Sequence, residues 1–106
     1  VTPPPAGPFL VEWAGQARDD LRALIARAIA RGIRHLFSGQ VPAIQERLEH
    51  RPLDWGDPQK WLPALRLSMH QGMYEHLAVM YAVDEARRIV YVRGIRAVLN
   101  HPLAGG

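Results

Sequence analysis

The stretch Leu77-Ala78-Val79-Met80-Tyr81-Ala82-Val83-Asp84-Glu85-Ala86-Arg87-Arg88-Ile89-Val90-Tyr91-Val92-Arg93-Gly94-Ile95-Arg96 decides the fold class. From Leu77 to Val83 it is apolar at nearly every position, the pattern of a central strand shielded on both faces. Asp84 to Arg87 is a polar turn. From Arg88 to Arg96 the residues alternate: Ile89, Tyr91, Arg93 and Ile95 share one face of a pleated strand, and Val90, Val92, Gly94 and Arg96 the other. Two such runs joined by a short turn form an antiparallel hairpin.

Reading outward, Leu65, Leu67 and Met69 alternate with Arg66, Ser68 and His70. This predicts a half-buried strand that turns its polar side outward, with the turn at Gln71-Gly72-Met73. The three strands make a meander. Residues 51–64 (RPLDWGDPQKWLPA) mix prolines, a glycine and two tryptophans. They read as an ordered loop with one helical turn over residues 58–61, pinned to the core by Trp55 and Trp61.

Further upstream the period changes to that of a helix. Ala17, Leu21, Leu24, Ile25 and Ala28 recur at spacings of three and four, which predicts a helix over residues 15–31. Asp19 and Asp20 are placed in its first turn, Arg27 and Arg31 in its last, and Gly32 caps it. A second helix is expected over residues 35–49, with the stripe Ile33, Leu36, Phe37, Val41, Ile44 and Leu48. Pro42 requires an irregularity near Ser38-Gly39-Gln40. Phe9 to Trp13 is a β-branched and aromatic strand. The expected fold is therefore α+β: an N-terminal strand, a helical hairpin, then a three-stranded antiparallel meander, in one small sheet with both helices on one face. A single domain over residues 9–99 lies between Pro- and Gly-rich tails at 1–8 and 100–106.

Composition narrows the chemistry. The chain has 106 residues, of which 48% are hydrophobic and 22% charged. That is too apolar for a disordered segment. It has no cysteine, which excludes disulfides, cysteine-ligated zinc, iron–sulfur clusters and a thiol nucleophile. Every basic residue except Lys60 is arginine, and the formal charge is +3, which permits an anionic partner without requiring one. No apolar run is long enough to span a bilayer. No secretory signal is visible, so a cytoplasmic protein without membrane contact is expected. The histidines lack metal-ligand spacing, the glycines stand singly rather than as a phosphate loop, and no serine nucleophile motif occurs. No metal and no cofactor are expected.

Two strings carry a family resemblance. Glu12, Trp13, Ala17, Asp20 and Leu21, within Val11-Glu12-Trp13-Ala14-Gly15-Gln16-Ala17-Arg18-Asp19-Asp20-Leu21, and then Tyr81-Ala82-Val83-Asp84-Glu85 followed by Arg88-Ile89-Val90-Tyr91-Val92, resemble the strand–helix start and the hairpin of the RelE/ParE family of type II toxin–antitoxin toxins. The resemblance runs from about Phe9 to Leu99. It implies a toxin that arrests growth by ribosome-dependent mRNA cleavage or by inhibiting DNA gyrase, neutralised by a cognate antitoxin protein. Ala78 stands where members often carry an arginine, and only Arg96 stands in for the basic residue near the family's C-terminal end. These departures leave open whether the chain is an enzyme. The alternative is a catalytically inactive interaction module that kept the fold.

If the chain is an enzyme, the resemblance implies a metal-independent mRNA endoribonuclease. Such cleavage needs a base for the 2′-hydroxyl, cations for the pentavalent phosphate and an acid for the leaving oxygen. The candidate catalytic residues are Arg66, His70, Arg93, Arg96 and Tyr91. Arg66 and His70 are expected to point outward from one strand, with Arg93 or Arg96 across from them and Tyr91 as a proton donor. The competing reading makes Arg66, Ser68 and His70 an ordinary solvated strand face.

Overall fold

A computed structural model describes residues 7–98, so both expected tails, apart from Gly7 and Pro8, lie outside the described residues. The elements are β1 (Leu10–Trp13), α1 (Gly15–Ala30), α2 (Arg34–Phe37), α3 (Gln40–His50), α4 (Pro52–Trp55), β2 (Asp57–Leu62), β3 (Leu67–Tyr74), β4 (Leu77–Asp84) and β5 (Ile89–Ala97). The five strands form one sheet in the order β1-β5-β4-β3-β2. β1 runs parallel to β5, and β2 to β5 form an antiparallel meander. The α+β class and the placement of the helices on one face agree with the expectation.

The core explains the layering. Leu24 and Ala28 of α1, Phe37 of α2, and Ile44 and Leu48 of α3 pack against Leu77, Val79, Tyr81 and Val83 of β4 and Val90, Val92 and Ile95 of β5. The helix break falls where Pro42 demands it. α2 ends at Phe37 and α3 begins at Gln40, which puts Pro42 in the first turn of α3, where no N–H partner is missing. The end of α1 is a Schellman cap. Gly32 has φ of 69°. Its N–H reaches the Ile29 carbonyl at 3.1 Å, and the Ile33 N–H reaches the Ala28 carbonyl at 2.9 Å.

Four expectations are corrected. Residues 57–62 are a strand, not a loop with a helical turn; the single turn of helix comes earlier, at Pro52–Trp55. β2 is an edge strand with a bulge between Pro58 and Lys60, a setting in which a proline without an N–H is tolerated. Trp55 packs against the core, whereas Trp61 is exposed on that edge. The β3–β4 turn lies at Glu75 and His76, with positive φ of 46° and 68° respectively. Gly72, expected in that turn, sits inside β3. Asp19 and Asp20 fall beyond the first turn of α1: the helix starts at Gly15, as expected, and a turn of about 3.6 residues ends before Asp19.

Candidate functional site on the open sheet face

Residues directly opposite each other on antiparallel strands share a face. The pairs Val79–Ile95, Tyr81–Val92 and Val83–Val90 point into the helix-covered core. The pairs Ala78–Arg96, Met80–Gly94 and Ala82–Tyr91 therefore lie on the other face, which no helix among the described residues covers. Met69, Gln71 and Met73 of β3 join them, opposite Ala82, Met80 and Ala78. Lys60 of β2, opposite Met69, extends the face to the edge.

A bulge assembles the cations of this face. Between Tyr81–Val92 and Met80–Gly94 the register shifts, and Arg93 has no partner on β4. The extra residue reverses the alternation beyond it. Simple period-two reading puts Arg96 on the opposite side from Tyr91 and Arg93; the bulge turns Ile95 into the core and brings Arg96 to the face of Tyr91. Arg93 is exposed, and its Nη1 lies 3.9 Å from the Met69 sulfur, so its side chain spans the strand between. Ala82, opposite both Met69 and Tyr91, leaves the space for it.

Asp20 of α1 holds the bulge. One carboxylate oxygen accepts the Ile95 N–H at 3.2 Å and the other accepts the Gln16 amide at 2.7 Å. This satisfies a donor on the edge of β5 beyond the end of β1. A side chain at Gly94 would meet the Met80 methyl at 3.0 Å and the Asp20 carboxylate at 3.2 Å. Both atoms are the ends of flexible side chains, so a Cβ there would make them give way by a few tenths of an ångström.

The five sequence-predicted site residues separate. Tyr91, Arg93 and Arg96 come together on the open face. Arg66 lies in the β2–β3 turn with φ of 53°, not on a strand. It still reaches the site's rim, because it lines a cavity of about 490 Å³ with Leu67, Asp84, Arg87 and Tyr91. His70 does not belong to this face. It pairs with Tyr81, is buried, and stacks on the Tyr81 ring with 5.3 Å between centroids. Its Nδ1 is 3.3 Å from the Gly56 carbonyl and its Nε2 is 2.9 Å from the Ser68 hydroxyl. The outward polar face expected for β3 is thus inverted: Ser68 and His70 turn to the covered side, Met69 to the open one.

The Tyr81 hydroxyl completes that buried cluster. It donates to the Pro52 carbonyl at 2.6 Å and accepts the Gly56 N–H at 2.9 Å. Burial pushes its pKa up to about 12, partly opposed by the Gly56 N–H. Trp55 also stacks with Tyr81, with 5.8 Å between ring centroids.

Arg87 and Asp84 are site residues that sequence reasoning placed in a turn and left there. The Arg87 backbone N–H donates to the Asp84 carboxylate at 3.0 Å, which closes the β4–β5 turn beside Tyr91. The signal was available in the three-residue Asp–Arg spacing. Chemically, the face offers guanidinium groups that bind phosphate in a planar fork, and one phenol able to transfer a proton. Among the described residues no group of three or more His, Asp or Glu side chains is placed to hold a metal ion.

No protein-family model and no curated protein matches the sequence. Among solved structures, the fold is similar to a chain in the crystal structure of the toxin–antitoxin complex RelBE2 from Mycobacterium tuberculosis. The TM-score is 0.57 at 19% identity, and the match covers 88% of this chain and 94% of that one. The two chains share a fold. Among the described residues no helix is long and apolar enough to cross a membrane.

Proposed function

We propose that this protein is the toxin of a type II toxin–antitoxin pair, acting in the cytoplasm on ribosome-bound mRNA and held inactive by a cognate antitoxin. The observation that carries the reading is the bulge that gathers Tyr91, Arg93 and Arg96 on an uncovered face of a fold shared with a chain of a toxin–antitoxin complex. On this reading residues 9–99 are the functional unit. The attacking 2′-hydroxyl gives its proton to solvent water, Arg93 and Arg96 take the scissile phosphate and the charge that develops on it, and Tyr91 supplies the proton to the leaving oxygen. Arg66 and Arg87 meet the strand at the rim.

Induced expression in a bacterial host tests it. Growth arrest that co-expression of an adjacent short acidic reading frame relieves is the expected result. Primer extension on cellular mRNA then finds new codon-phased 5′ ends. DNA damage without such ends points to gyrase as the target instead. Normal growth at high soluble expression overturns the toxin reading. One observation favours that outcome: the open face has Ala78 in place of an arginine and no imidazole among the described residues. A binding module that kept the fold is then the reading to adopt.

A further inference from the structure

A second group of basic side chains lies on the helix-covered side. Arg47 and His50, in the last turn of α3, and Arg51, just after it, line a cavity of about 390 Å³ with Tyr74 of β3. Tyr74 pairs with Leu77, whose side chain is in the core, so this cavity opens on the opposite side of the sheet from Arg93 and Arg96. Glu46 is the acidic side chain that lines it.

Two features point to a ligand. The Arg47 guanidinium carbon sits 5.3 Å from the Tyr74 ring centroid. This cation–π contact holds the group in place without consuming its N–H donors. The Arg47 Nε is buried and has no hydrogen-bond partner among the described residues. That nitrogen is closed to the cavity as well as to solvent, so a ligand there meets the terminal nitrogens of the guanidinium. The carbonyl end of α3 disfavours an anion here by about half a charge. Two guanidiniums outweigh that and the single carboxylate of Glu46. A carboxylate ligand is satisfied by one arginine fork, whereas a tetrahedral phosphate presents oxygens to several donors at once.

We propose that this cavity binds a phosphate group, held by Arg47 and Arg51 and closed by His50, as a site distinct from the open face. It stands independently of the toxin reading, since phosphate binding is measured without reference to growth. The phosphate is either inorganic or the terminal group of a nucleotide, and the cavity has room for both.

Isothermal titration of the whole chain with inorganic phosphate, at low ionic strength, decides the matter. Saturable one-to-one binding is expected. Arg51→Gln and Arg47→Gln each weaken it at least about tenfold, whereas Arg22→Ala, at an exposed arginine of α1 outside both groups, leaves it unchanged. Arg51 is exposed, so Arg51→Gln carries the test if Arg47→Gln folds poorly. A nucleoside monophosphate that binds more tightly than phosphate assigns the nucleotide; equal or weaker binding assigns the free ion. Absence of saturable binding, or binding indifferent to both glutamine variants, overturns the proposal.

Discussion

Tyr81 joins the sheet to the segment that crosses it. Its hydroxyl satisfies one carbonyl and one N–H of the α4 region, and its ring stacks with both Trp55 and His70. Tyr81→Phe keeps the ring but strands two buried backbone groups, and should cost about 1–3 kcal/mol in urea unfolding. Burial raises the folded pKa of this tyrosine to about 12 from 10.0. Its contribution is therefore complete below pH 10 and is lost as pH rises towards 12. The wild-type unfolding midpoint should fall across that window more steeply than that of Tyr81→Phe. Gly72 belongs to the same cluster: a Cβ there would lie 2.7 Å from the Trp55 ring. Gly72→Ala should destabilise by about 1–3 kcal/mol by the same measurement, because the indole must move. His70 shows what the sequence could not say. An alternating run specifies two faces, yet not which one is covered, and both faces of β3 carry apolar residues. Gly56 and Ser68 give the imidazole its partners, and those contacts are long-range or depend on the pleat's direction. His70→Ala should therefore lower stability, and any loss of growth arrest should follow the unfolded fraction.

At the scale of elements, the bulge in β5 decides which residues meet. The two helices, their break and the β4–β5 hairpin were legible, because Pro42, Gly32 and the apolar run from Leu77 to Val83 are local signals. β2 was not legible: Pro58 argues against a central strand, and only the edge position in the finished sheet removes the objection. The bulge had a signal in Gly94, an isolated glycine within a strand pattern, but its effect on Arg96 depends on the register with β4. Asp20 is the long-range support, reaching Ile95 from another element. Asp20→Ala leaves that N–H without its partner and should cost about 1–2 kcal/mol. Arg96 then loses its fixed position, so growth arrest should weaken more than the stability loss alone accounts for. Arrest in strict proportion to the folded fraction would show that the bulge does not set the site.

For the whole molecule, total charge says little and its distribution says more. The chain carries a formal charge of +3, yet Arg93, Arg96, Arg66, Arg87 and Lys60 all border the uncovered face, where Glu12, Asp57 and Asp84 are acidic neighbours. A single RNA strand that crosses this face displaces counterions at each phosphate it meets. Its affinity should then fall with salt, with a slope of about 0.7 per phosphate contact on logarithmic axes. Fluorescence anisotropy with a short RNA across a salt series measures that slope. Arg93→Ala and Arg96→Ala should each reduce it by roughly one such contact and abolish growth arrest, with the urea midpoint unchanged, because both side chains are exposed. Arg27→Ala, on the helix side, should leave the slope as it is. Equal slopes in all four proteins would mean that RNA does not lie on the open face, and the arginines gathered by the bulge would then have to serve a protein partner.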